Sequence, residues 1–81
     1  MVYEWDKAKN CNVFAKHGLA FEDAGQVFAR PCVTFDDDRF DYGEERLTTL
    51  GLLAGRVIVI AHAPRGETTR VISMRKANRR E

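Results

Sequence analysis

The sequence predicts an α+β domain: a short N-terminal strand, two helices packed on one face of a mainly antiparallel β-meander, and a short basic helix at the C-terminus. Three observations lead there. Arg56-Val57-Ile58-Val59-Ile60-Ala61-His62 is apolar on both faces in its middle, as a central strand must be. Thr69 to Met74 alternates in the manner of a neighbouring strand. Ahead of both lie two segments whose apolar residues recur at helical spacing. Helices on one side of a sheet with short connections are the economical way to bury one sheet face.

At 81 residues and 44% hydrophobic content the chain makes a single domain, residues 1–81, with one modest core. The N-terminus MVYEWDKAKN has no apolar run and no stretch approaches a membrane span, so a cytoplasmic protein is expected. Cys11 and Cys32 fit neither a zinc spacing nor a disulfide framework and are expected to be buried thiols.

Taken in order, Val2-Tyr3-Glu4-Trp5 has the aromatic and β-branched content of an edge strand. Asp6 is placed to cap a helix from Lys7 to His17, with Ala8, Cys11 and Ala15 on one apolar face beside Phe14. Gly18 is the left-handed residue that ends it, and Lys16 and His17 suit the negative end of its dipole. A second helix runs from about Phe21 to Ala29, carrying Ala24, Val27 and Phe28 inward and stopping before Pro31. Cys32 to Phe35 is a short strand. The aspartates that follow read as its turn or loop.

Glu44 to Leu53 is an extended run, and the reversal falls within Gly51 to Gly55. After the central strand, Ala63-Pro64-Arg65-Gly66 fits a type I turn. In the last strand Val71, Ser73 and Arg75 share one face and Arg70, Ile72 and Met74 the other, so each face carries an arginine. Beyond Met74 the β-branched residues give way to helix formers, which predicts the basic helix. From Arg65 to Glu81 six Lys or Arg face two Glu, whereas the whole chain is only +1. The balancing acids crowd between Asp36 and Glu45, so the chain is split between an acidic middle and a basic end that attracts polyanions.

The meander gathers Glu45, Arg46, Arg56, His62, Arg70, Ser73 and Arg75 onto neighbouring strands. Cleavage of RNA by its own 2′-OH needs a base for that hydroxyl, positive charge on the non-bridging oxygens and a proton for the leaving oxygen. Arginine forks meet the second need, and Glu45 and His62 are candidates for acid and base. The structural alternative is that Glu45 and Arg46 pair across strands with Arg70 or Arg56, worth about 0.2 to 1 kcal/mol each. Ser73 lacks the context of a nucleophile and reads as a small residue facing a ligand or helix. There is no P-loop, dinucleotide-binding glycine pattern or metal motif.

Tyr3-Glu4-Trp5-Asp6, Lys9, Lys16-His17-Gly18 with Phe21, Ala24 and Val27-Phe28, then Glu45-Arg46, Gly51, Arg70-Val71-Ile72-Ser73-Met74-Arg75-Lys76-Ala77 and Arg79-Arg80-Glu81 resemble the BrnT family over nearly the whole chain. The resemblance implies a RelE-like fold and a toxin that arrests translation by cleaving RNA without a metal or other cofactor. It also implies a BrnA-type antitoxin as partner, through which alone the toxin reaches DNA. It makes Lys9, Glu45, Arg46, Arg70 and Arg75 the candidate catalytic residues. Arg56, His62, Lys76, Arg79 and Arg80 are candidates for RNA binding. Lys9 joins Glu45 as a candidate for proton transfer. The chain departs from the family pattern at Ala20, where relatives often have Ser or Thr as a helix cap, and at Met74, where they have a small residue. A competing reading is a binding module that engages RNA or a protein without cutting. A DNA-binding regulator is poorer, because no helix-turn-helix or ribbon-helix-helix pattern is visible.

Overall fold

A computed structural model describes residues 2–36 and 45–77. Strand β1 (Val2–Trp5) leads into helix α1 (Lys7–His17), then a 3-10 turn (Phe21–Asp23) that runs on into helix α2 (Ala24–Phe28). Strands β2 (Val33–Asp36), β3 (Leu47–Leu53), β4 (Arg56–Arg65) and β5 (Thr68–Lys76) follow. They form one five-stranded sheet in the order β1-β5-β4-β3-β2. The meander β2 to β5 is antiparallel, as expected, but β1 joins β5 in parallel, with Tyr3 beside Thr69 and Trp5 beside Val71. The sheet is therefore mixed.

The start and stop of α1 follow the local sequence. Asp6 is extended and its Oδ1 accepts from the backbone N–H groups of Ala8 at 2.8 Å and Lys9 at 3.1 Å. Gly18 ends the helix at φ 68, its N–H donating to the Phe14 carbonyl. The face of α1 is a correction. Ala8, Cys11, Phe14 and Ala15 are exposed, and the inward residues are Asn10 and Val13. The helix adjoins β5 and meets the core through Val13, so one narrow stripe is covered. Both cysteines are exposed rather than buried.

Phe21, Ala24, Val27, Ile58, Ile60, Val71 and Met74 form the core between the 3-10 turn, α2 and the sheet, with Leu19 at its rim. Tyr3 stacks on Phe28, and Trp5 meets Phe21 edge-on. Ala20 offers no side-chain cap, consistent with its departure from the family pattern. Asn10 of α1 fills the vacancy: its Oδ1 accepts from the Phe21 N–H at 2.9 Å while its Nδ2 donates to Glu22 at 2.7 Å.

The reversal falls within Gly51 to Gly55, as expected, and Gly51 itself lies inside β3. A Cβ there would stand 2.5 Å from the Val27 side chain, so the glycine lets α2 approach the sheet. The reversal is Ala54-Gly55, both left-handed (φ 53 and 78), as a two-residue hairpin turn requires. Ala63, Pro64 and Arg65 belong to β4, so the expected type I turn is absent and the chain reverses at Gly66-Glu67. Pro64 is tolerated in the strand because pairing with β3 stops at His62, leaving a neighbour on one side only. β5 continues through Arg75 and Lys76, where the expected basic helix was to begin. The rest of that expected helix, with Arg79 and Arg80, and the loop expected after Asp36 lie outside the described residues.

Candidate nucleic-acid interface

The strand that carries the arginines is not regular. Ala61 of β4 faces Ser73, but His62 faces Val71, so Ile72 is an extra residue in β5. Its effect can be read from burial: Val71 and Met74, an odd number of residues apart, both lie in the core. A regular strand would place them on opposite faces. The same shift acts on the polar residues. Arg70 pairs with Ala63, Ser73 with Ala61 and Arg75 with Val59, which are alternate positions of β4. All three stand on the face away from the helices. The expectation of one arginine per face is thereby corrected.

Arg70 and Arg75 are half-buried and flank Ser73. Arg70 Nη1 donates to Glu4 Oε2 of β1 at 3.1 Å, a partner absent from the pairings considered on sequence. Arg75 Nη1 reaches the Lys76 carbonyl at 3.5 Å. Arg46 is half-buried and directly precedes β3, one residue before the last β3–β4 pair of Leu47 with His62. Glu45 is exposed, one residue farther out.

Where β1 ends, α1 takes its place along the second half of β5. Lys9 Nζ donates to the carbonyl of the bulged Ile72 at 3.4 Å. A groove between the two elements is lined by Lys9, Asn12, Lys16, His17, Ser73 and Arg75 together with Val13, Ile72 and Met74. A second cleft adjoins it at the end of α1, where His17, Arg56 and Lys76 come together. Lys9 and Arg75 thus share one groove, Arg56 and Lys76 share the next, and His17 borders both. On sequence the helix dipole already accounted for Lys16 and His17, and Asn12 read as surface; the structure brings all three to this groove.

His62 does not belong to this surface. The expected RNA contact is corrected by its burial under α2, where its ring meets Phe28 edge-on at 5.0 Å and Nε2 bonds Thr49 Oγ1 at 2.8 Å. Thr49 Oγ1 also bonds Thr34 Oγ1 at 2.7 Å. Burial holds the pKa of His62 below its ordinary value, because the charged ring is poorly solvated there. Met74 also points into the core, so its bulk does not narrow the arginine face.

Arg70, Ser73 and Arg75 with the Lys9 groove thus form one cationic face suited to a phosphodiester backbone, whereas Arg56 and Lys76, in register with the core residue Ile58, line a separate cleft on the helix side together with Asp23. No helix among the described residues is long and apolar enough to cross a membrane. No curated protein matches the chain. The family model for BrnT, the ribonuclease toxin of a type II toxin–antitoxin system, matches residues 5–81. With the match running through α1, the bulged β5 and the arginines it carries, the chain belongs to the BrnT family of ribonuclease toxins.

Proposed function

We propose that this chain is a metal-independent endoribonuclease of the cytoplasm that arrests translation and is neutralised by a BrnA-type antitoxin. The observation that carries the reading is the bulge at Ile72, which gives Arg70 and Arg75 a common face beside the Lys9 groove. In the reaction the substrate's 2′-oxygen forms a bond to phosphorus as the bond to the 5′-oxygen breaks. One proton leaves the 2′-OH and another reaches the 5′-oxygen, giving a 2′,3′-cyclic phosphate and a 5′-hydroxyl end. Arg70 and Arg75 hold the non-bridging oxygens and stabilise the charge that grows on them. Lys9 and Glu45 are the candidates for proton transfer. Lys9 borders the same groove as Arg75, which favours it over the outlying Glu45. Arg46, Arg56 and Lys76, with Arg79 and Arg80 beyond the described residues, hold the RNA backbone.

One observation favours a second reading, a binding module without catalysis: Arg70 already spends a nitrogen on Glu4. Purified protein incubated with labelled RNA in EDTA, with and without ribosomes, separates the two. Cleavage is expected from the wild type and not from an Arg70→Ala, Arg75→Ala variant whose folding is verified by circular dichroism. Absence of cleavage in both settings, with no growth arrest on induction without a partner, would establish the binding module.

A further inference from the structure

The sheet face opposite the helices has a half nearer β2 that the RNA reading does not use, separated from the arginines by the buried Val59. Val33, Phe35, Leu52 and Val57 are all exposed large hydrophobics, between 47% and 62% accessible. The register puts them together: Val33 pairs with Leu50, Leu52 with Val57, and Leu50 with Val59, which pairs with Arg75. They therefore share the face of Arg75 and Ser73, opposite the helices. Among the described residues β2 is the last strand of the sheet, exposed along its whole length, and its outer edge pairs with no described strand. At its start Pro31, Cys32, Val33, Leu50, Leu52 and Val57 line an apolar cleft.

Contiguous exposed apolar surface on a small domain marks a site of association. Membership of a type II family supplies the occupant, since the antitoxin of such a system is a protein. We propose that the antitoxin docks here, adding an extended segment along β2, seating an apolar side chain in the cleft and directing a carboxylate toward Arg75. Extended segments bind sheet edges through backbone hydrogen bonds, with alternate side chains giving specificity. Neighbouring strands are about 4.8 Å apart, so Val33 and Arg75 are separated by roughly 14 Å across the sheet. A segment that leaves the β2 edge and turns across the face covers that distance in roughly four or five extended residues and lies over the arginines as it does so. Inhibition is then direct occlusion of the surface proposed above for RNA, and the docking rests on that reading only for its inhibitory effect.

The two exposed cysteines supply a test on the unmodified protein. Cys32 lines the cleft and Cys11 lies on α1. Labelling by iodoacetamide, read by mass spectrometry, is followed with and without the protein encoded beside this chain in its operon. Slowing at Cys32 by 10-fold or more, with Cys11 unchanged, is the expected result. Unchanged Cys32 labelling in a complex seen by gel filtration would overturn the proposal. Slowing that depends on the chain's own concentration, without the antitoxin, would assign the patch to a second copy. Slowing by RNA alone would assign it to the substrate. A Val33→Lys, Val57→Lys variant is expected to bind the antitoxin at least 10-fold more weakly by calorimetry while cleaving RNA at the wild-type rate. These binding readouts stand even if the chain proves not to cleave RNA, so the two proposals fail separately.

Discussion

Arg70 and Arg75 stand on the same face of β5 although they are five positions apart, because Ile72 is bulged out of the pairing with β4. Each is expected to stabilise phosphate. Arg70→Ala or Arg75→Ala should lower the RNA cleavage rate by about 10² to 10³, the usual cost of losing one such donor. Single-turnover cleavage at saturating protein measures this. A rate within twofold of wild type would remove that arginine from the chemistry.

Asn10 caps the 3-10 turn from another helix. Asn10→Ala leaves the half-buried Phe21 N–H without its acceptor and frees Glu22, which should cost about 0.5 to 2 kcal/mol. In a domain of this size about 1 kcal/mol lowers Tm by roughly 4 to 8 °C. A thermal melt decides it. Ala20→Ser, which restores a local cap, should recover part of the loss.

His62 makes stability depend on pH. Its folded pKa lies below the ordinary value near 6.5, so between the two the unfolded chain binds more protons. Stability is therefore full above about pH 6.5 and falls as the pH drops through the window beneath it, by at most about 1.4 kcal/mol per pH unit for one proton. Urea unfolding between pH 5 and 8 should show this slope, and His62→Gln should flatten it.

Gly51 is where α2 approaches β3 most closely. Gly51→Ala drives a methyl into Val27, which is fully buried, and should destabilise by about 1 to 3 kcal/mol. A Val27→Ala second change is expected to recover part of that if the clash is the cause. Denaturant midpoints of the two variants report the coupling.

Features set by neighbours along the chain were legible in the sequence. Asp6 and Gly18 bound α1 by hydrogen bonds that reach only a few residues, and β4 is apolar because residues on both of its faces are buried. What depended on distant partners was not. The bulge is a relation between β4 and β5, so strict alternation put Arg70 and Val71 on the wrong faces. Burial of His62 follows from the placement of Phe28 and Thr49, which no pattern around His62 announces. The apolar face assigned to α1 failed for a similar reason: how much of a helix is covered depends on where it sits over the sheet. The arginines were candidates because their chemistry is local and Lys9 because of the family resemblance, while the groove that joins Lys9 to Arg75 required the fold.

Parallel pairing of β1 with β5 has a consequence for the order of events in folding. Glu4 and Arg70 are separated by 66 positions in sequence, so β1 can close onto the sheet only after the meander exists to receive it. β1 is then held by more than its backbone pairing, because Tyr3 stacks on Phe28 and Trp5 meets Phe21. The counter-ion of Arg70 therefore arrives late in folding, on a strand that the aromatic contacts lock in place.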